Sequence, residues 1–216
     1  MDKASCIPDC QDLKISAGEI RDALAAVART SPDIREDCLC FLGAQKNGRF
    51  WSFNFFDRSI ELDGSAGFEF TDHSIPLAVR KVLVSYLCLG MESGASETGF
   101  QGAERSVTLR ELAGGNPLFA GFTGNIAKTI EQTYTGRADE LQDRCIALGG
   151  KPVKEAGFDL NIRFAALSRV PMIFRFNDRD DILPATAVFL YPQQAVEFLD
   201  LTSLGILCTS LVGRLI

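Results

Sequence analysis

Histidine is almost absent from this chain of 216 residues, in which His73 is the only one. Metal centres built from several imidazoles and mechanisms that need two histidines are therefore excluded. A serine or cysteine nucleophile activated by histidine would have to use His73, which stands in the polar run Thr71-Asp72-His73-Ser74. We interpret His73 as a residue of a surface turn and not as a catalytic one.

Long hydrophobic runs are absent as well. The most apolar stretch, residues 201–216, contains four hydroxyl side chains and Arg214, whereas a membrane-spanning helix needs about 20 apolar residues. We predict a core helix there and no membrane segment. The first twenty residues lack the apolar core of a secretory signal. We therefore expect a cytoplasmic protein whose seven cysteines are reduced.

Basic residues are outnumbered, since 22 Lys and Arg face 28 Asp and Glu and the net charge is −6. Affinity for nucleic acids depends largely on the neutralisation of phosphates by basic side chains. Anionic membranes likewise attract basic segments. The charge balance therefore predicts a protein that binds neither nucleic acid nor a membrane surface.

What is present is an ordinary globular composition, with 46% hydrophobic and 23% charged residues. A chain of this length buries about 70% of its unfolded surface, which is enough for a core without disulfides. We predict a polar N-terminal arm over residues 1–12 and a single compact α+β domain over residues 13–216. Antiparallel sheets packed against helices are expected in that domain.

Capping residues and glycines predict the helices. Ser16 and Glu19 have the spacing of a capping box, and so do Thr108 and Glu111. The predicted helices begin at Ser16, Ser74, Thr108, Asn116 and Ala138, and two more cover residues 193–199 and 202–215. The predicted stops are Ser31-Pro32-Asp33, Gly90, Gly114-Gly115 and Gly149-Gly150.

Apolar runs, several of them alternating, predict the strands. Lys46-Asn47-Gly48 is predicted to be a hairpin turn, because Asn-Gly tolerates the positive φ angles of a type I′ turn. The predicted strands cover residues 38–42, 49–56 and 59–62 in the first half of the chain, and 158–167, 172–176 and 185–191 in its last third.

Four cysteines suggest a thiolate site, namely the pairs Cys6/Cys10 and Cys38/Cys40. Zinc sites use cysteines separated by two to four residues, and a strand over residues 38–42 would place Cys38 and Cys40 on one face. A zinc or iron–sulfur protein is therefore one hypothesis. The alternative, which we favour, is a set of free thiols, some packed as small apolar side chains and the Cys6/Cys10 pair free or redox-active. We assign no metal ligand.

The first candidate ligand site is Arg110-Glu111 followed by Gly114-Gly115. Glycines let a backbone approach a ligand, and an arginine binds a carboxylate or phosphate through two parallel hydrogen bonds. The segment lacks the Gly-Lys-Ser/Thr of a phosphate loop. The alternative, a helix end with a structural ion pair, is the one that these residues by themselves favour.

The second candidate is Asp159, taken together with the acidic turn that holds Asp178, Asp180 and Asp181. Several carboxylates could perform acid–base chemistry or hold a hard cation. The turn lacks the spacing of a calcium loop, and the alternation of the strand points Asp159 away from the apolar face. A solvated hairpin turn is therefore the favoured interpretation.

Four stretches occur in order in the second half of the chain: Leu109-Arg110-Glu111-Leu112-Ala113-Gly114-Gly115, Leu148-Gly149-Gly150, Gly157-Phe158-Asp159-Leu160, and Val170-Pro171-Met172 with the turn from Asn177 to Ala185. Together they resemble a domain-of-unknown-function family of strictly anaerobic bacteria and methanogenic archaea, over about residues 75–215. The family usually has Phe where this chain has Leu109, and a Gly-Asp pair where Phe158 intervenes here.

The resemblance implies a partner role in anaerobic one-carbon, corrinoid or redox metabolism, because some relatives are fused to an iron–sulfur domain. Our first hypothesis is accordingly a non-catalytic binding or accessory protein, with a small anionic ligand or a redox or one-carbon protein as its partner. The second is an enzyme for a small anionic metabolite, with Arg110, Glu111 and Asp159 in one pocket. The third is the thiolate metal or iron–sulfur protein.

Overall fold

The computed structural model describes residues 16–65, 67–93, 105–155 and 157–216. The predicted arm over residues 1–12 and most of the polar segment 92–105 lie outside these ranges. Within them the helices are α1 (Ala17–Arg29), α2 (Pro32–Phe41), α3 (Leu77–Glu92), α4 (Leu109–Leu112), α5 (Pro117–Tyr134), α6 (Ala138–Ala147) and α7 (Leu201–Leu215). The strands are β1 (Gln45–Asn47), β2 (Phe50–Phe55), β3 (Arg58–Asp63), β4 (Glu69–Phe70), β5 (Ser106–Thr108), β6 (Lys151–Pro152), β7 (Leu160–Leu167), β8 (Val170–Asn177) and β9 (Thr186–Pro192).

The first sheet is an antiparallel meander in the order β1-β2-β3-β4. The predicted hairpin is confirmed, because Asn47 pairs with Phe50 across a two-residue loop. Only Gly48 of that loop has a positive φ, +60°. Glycine at the first central position is typical of a type II′ turn and not of the predicted type I′.

The second sheet has the order β5-β9-β8-β7-β6, and every neighbouring pair is antiparallel. Residues at alternate positions of β8 are buried, as the sequence predicts for a strand with one face on the core. The two sheets meet where the amide of Phe56 donates to the carbonyl of Ala166 at 3.0 Å. Phe56 holds a left-handed φ of +54° there.

One hydrophobic core joins both sheets to the helices. Helix α3 lies within it, and every residue from Lys81 to Met91 is buried. It packs against α1, α2 and α7, while α5 packs against α7 and β9. The predicted α+β class, with antiparallel sheets packed against helices in one compact domain, is confirmed.

The predicted strand over residues 38–42 is wrong, because these residues belong mainly to helix α2. Pro32 occupies the first helical position, where its missing N–H costs nothing, and Asp33 places a negative charge in the first turn. The run Ser31-Pro32-Asp33 therefore ends one helix and begins another.

The predicted stop at Gly90 is also wrong, because α3 continues to Glu92. A Cβ on Gly90 would lie 2.5 Å from Cδ2 of Leu42. The glycine is thus required by close packing of α3 against the residue that follows α2, and not by a helix end.

The predicted helix starts at Ser16 and Thr108 are confirmed. Ser16 Oγ accepts a hydrogen bond from the amide of Glu19, and Thr108 and Glu111 form a complete capping box. Helix α4 is a single turn, and the predicted core helix at the C-terminal end is α7.

Candidate functional site

Four of the five predicted site residues lie together. Arg110, Glu111, Gly114 and Gly115 line a depression of about 570 Å³ beside β5, with Arg105 on its rim. Helix α4 and the glycine turn after it bring these residues to one surface, because the capping box fixes where the helix begins. The depression is wide and shallow.

The Glu111 carboxylate is committed to holding the backbone. It accepts hydrogen bonds from the amide and hydroxyl of Thr108, at 2.8 and 2.9 Å, and pairs with Arg105 at 3.4 Å. These donors, the Thr108 amide first, hold the pKa of Glu111 below its usual value. Glu111 is therefore poorly suited to act as a general base.

The two glycines are required by the conformation of the turn. Gly114 and Gly115 have φ of +60° and +80°, a region that other residues rarely adopt. A Cβ on either would meet no other atom within 4 Å. Glycine is thus required here by backbone conformation alone.

Arg110 is the uncommitted charge of this surface. Its side chain is exposed and has no hydrogen bond or ion pair within the part of the chain that the structure describes. It also borders a second depression of about 250 Å³, between α4, α5, β9 and α7. A free guanidinium at the boundary of two depressions can bind a carboxylate or phosphate.

Asp159 lies away from these residues. It precedes β7, whereas Arg110 follows β5, and strands β9 and β8 lie between. Three strand spacings amount to about 14 Å. Asp159 lines a different groove, of about 440 Å³, together with Glu155 and Asn161. The enzyme hypothesis requires Asp159, Arg110 and Glu111 in one pocket. The structure does not bring Asp159 together with the other two.

The acidic residues around Asp159 hold backbone in place. The Asp159 carboxylate accepts from the amide of Asp178 at 2.7 Å, and the Asp159 amide donates to Asn177 Oδ1 at 3.0 Å. Asp178 Oδ1 in turn accepts from the amide of Gly136 at 2.7 Å. Within the described ranges no three histidine, cysteine or acidic side chains are grouped so as to hold a metal ion.

The thiolate hypothesis placed Cys38 and Cys40 on one face of a strand, and the structure does not contain that strand. Because Cys38 and Cys40 lie on helix α2, two positions apart, they point to different sides; Cys38 is buried and Cys40 is exposed. Cys6 and Cys10 lie outside the described residues. Among the other cysteines, burial raises the pKa of Cys145 to about 12 and that of Cys208 further. These thiols pack as small apolar side chains.

A buried polar cluster, which sequence reasoning missed, links α3 to α7. Ser85 Oγ and Ser203 Oγ donate to Asp200 Oδ2 at 2.7 and 2.8 Å, and Lys81 reaches both Asp200 and Ser203. The signals in the sequence are the spacing of Lys81 and Ser85, which puts them on one helix face, and the N-cap spacing of Asp200 and Ser203. The serines are fully buried, so the cluster is structural and inaccessible to a substrate.

A groove of about 460 Å³ between β3, the start of α3 and the end of α7 was also missed. Its apolar lining residues are Phe55, Ile60, Ile75, Pro76 and Val79. These residues and the α7 wall come from distant parts of the chain, so no local pattern could reveal the groove. We name it the α7 groove.

The rim of the α7 groove supplies hydrogen-bond donors. Arg214 pairs with Asp57 through Nη2, while its Nη1 is buried without a partner. Although burial opposes ionisation of Asp57, its hydrogen bond with Arg214 holds its pKa below the usual value. Within the described part of the chain, Arg58 contributes to the lowered pKa of Asp57 through its charge but makes no side-chain hydrogen bond, and the hydroxyl of Ser210 has no side-chain partner.

Gly213 marks an open wall of the α7 groove. It is exposed on α7, and a Cβ there would meet no other atom within 4 Å. An apolar lining with a few polar groups is the usual composition of a small-molecule site. The α7 groove therefore has the better ligand-site geometry, and the Arg110 surface has the freer charge.

No helix among the described residues has the length and apolarity to cross a membrane. The fold and these two surfaces define an α+β protein with candidate small-molecule sites. A family model described as "Domain of unknown function (DUF3786)" matches residues 36–214, and the chain belongs to that family. Neither a curated protein nor a solved structure matches the chain.

Proposed function

We propose that this protein is a non-catalytic binding protein whose α7 groove takes a small molecule with an apolar body and one hydrogen-bond-accepting group. The observation that supports this most is a concave groove, open to solvent, in which five apolar side chains lie beside polar ones that include the hydrogen-bond donors Arg58 and Ser210. Burial of apolar ligand surface against the apolar side chains supplies the affinity, and the polar ones fix the orientation.

The rim favours an acceptor group on the ligand. Arg58 has no side-chain hydrogen bond and Ser210 no side-chain partner within the described residues, although Glu61 adds a carboxylate to the same lining. The nearby carboxylate of Asp72 already accepts from the amide of Ser74 at 2.8 Å. A carboxylate, amide or keto oxygen of a ligand at this rim therefore finds donors that the protein does not use.

Octanoate and the neutral octanamide are suitable probes, measured by calorimetry with anilinonaphthalene sulfonate as a fluorescent competitor. We expect saturable one-to-one binding that Gly213→Phe weakens at least about 10-fold, because the new ring fills the groove. Gly213→Ala and the distant Gly18→Phe are the matched controls and should leave binding unchanged; Gly18 also has open space around it. Equal affinity in wild type and Gly213→Phe, or no saturable binding of any probe, would refute the proposal.

A second candidate is the binding of a small multivalent anion at Arg110, supported by its unpaired guanidinium. Citrate and inorganic phosphate at constant ionic strength are the probes. Arg110→Gln should abolish the rise in melting temperature that they cause, whereas Arg179→Gln, which removes another exposed arginine, should not. An identical response in both variants would exclude the Arg110 site. The metabolic setting, anaerobic one-carbon or redox chemistry, stays a prediction from the family resemblance.

A further inference from the structure

The tip of the hairpin between β8 and β9 carries two large apolar side chains in solvent. Ile182 is 88% exposed and Leu183 is 63% exposed, the two highest values among the large hydrophobic residues of the described ranges. A single exposed apolar residue is ordinary, but two adjacent ones at a tip are unusual for a surface that stays bare.

The tip is held in one shape. Asp180 Oδ1 accepts hydrogen bonds from the amides of Ile182 and Leu183, both at 2.7 Å, and the amide of Asp180 donates to the carbonyl of Leu183 at 3.0 Å. Side-chain bonds of this kind to amides two and three residues ahead close a tight turn. The two apolar side chains are thus presented outward by a fixed backbone.

The base of the hairpin is anchored as well. Asp178 accepts from the amide of Gly136, at the corner between α5 and α6, and donates its own amide to Asp159. A rigid apolar projection loses little conformational entropy when it is bound, so more of its buried surface contributes to affinity. The carboxylates that suggested chemistry in the sequence therefore build a presenting loop.

Charge at the tip indicates the partner. Asp180 and Asp181 are exposed beside Ile182, and Asp178 is half-buried at the base, against the single cation of Arg179. An acidic rim repels anionic phospholipid surfaces and nucleic acids, and it attracts basic surfaces. We infer that Ile182 and Leu183 dock into an apolar pocket of a partner protein whose rim carries lysine or arginine side chains.

A photo-crosslinking amino acid at position 182 of the full chain, in cells of the source organism, tests this inference. Position 34 is the control, since Ile34 is also an exposed aliphatic residue, at 41%. We expect a discrete protein adduct from position 182 that position 34 does not give. The absence of such an adduct, an adduct with lipid, or an adduct only with a second copy of this chain would each overturn the inference.

The purified partner then supplies the decisive measurement. Ile182→Asp/Leu183→Asp should weaken its binding at least about 100-fold, as for a central interface anchor, while Ile34→Asp leaves it unchanged. Asp181→Lys and rising salt concentration should each reduce the association rate. If the affinity is unchanged by the double substitution, or does not depend on salt concentration, the inference is contradicted. All of these variants change exposed side chains, so circular dichroism should report unchanged folding.

Discussion

Lys81 Nζ lies 2.8 Å from Asp200 Oδ2, and this ion pair joins two helices that are more than a hundred positions apart in the chain. The side chains are only 2% and 5% exposed. Each charged group is removed from solvent and is stabilised by the opposite charge of its partner. Ser85 and Ser203 complete the hydrogen bonds of the carboxylate. The pair fixes how α3 lies against α7, and α7 is also a wall of the α7 groove.

Lys81→Met should lower the free energy of unfolding by about 3–5 kcal/mol, because it leaves a buried carboxylate without a counter-charge. The double variant Lys81→Met/Asp200→Leu should recover only part of that loss, since it removes both charges but leaves the Ser203 amide without its cap. Urea denaturation of the two variants and of wild type measures this. A single variant as stable as wild type would mean that the pair contributes nothing.

Acid should weaken the fold through Asp200. Burial raises the pKa of this carboxyl, but the hydrogen bonds from Lys81, Ser85 and the Ser203 amide outweigh burial and lower it. A folded pKa below the unfolded value, which is about 4, gives stability that is complete above pH 4 and is lost as the pH falls through the folded pKa. The acid loss of unfolding free energy should therefore be smaller in the double variant than in wild type. Parallel curves below pH 4 would contradict this.

The same substitution at two glycines should have opposite effects. Gly213→Ala should stabilise α7 by about 0.5–1 kcal/mol, because alanine favours a helix and the new methyl meets no other atom. Gly90→Ala should cost about 1–3 kcal/mol, because its methyl would overlap the Leu42 side chain. Melting temperatures of both variants measure these effects, and shifts of the same sign would refute this account of α3 packing.

Thiol labelling should separate the cysteines of α2. Cys40 is exposed and should react within minutes with a maleimide in native buffer, whereas Cys38 is buried and should react only on unfolding. Peptide mass spectrometry resolves the two sites, with Cys145 as a second buried control whose pKa is raised by burial to about 12. Equal labelling of Cys38 and Cys40 would contradict the helix and agree with the strand that the sequence suggested for residues 38–42.

Local signals were sufficient for much of the fold. The N-cap at Ser16, the capping box at Thr108, the hairpin at Gly48 and the alternation along β8 each depend on residues a few positions apart. The helix stop at Gly90 failed because a distant residue decided the outcome, whereas the strand over residues 38–42 failed although Pro32 and Asp33 are local signals of a helix start. Gly90 looked like a helix end because glycine often ends helices, but the structure requires it for close packing against Leu42, which lies far away in the chain.

The candidate site divides in the same way. Arg110, Glu111 and the glycine turn are placed together by one short segment, so the sequence by itself determined their proximity. The separation of Asp159 from Arg110 was decided by strand order, and the α7 groove by packing of β3 and α3 against α7. Hydrogen bonds and steric limits between near neighbours are determined by a few adjacent residues. Burial of apolar surface, in contrast, depends on the whole chain. Only the tertiary structure could therefore decide which distant residues share a surface.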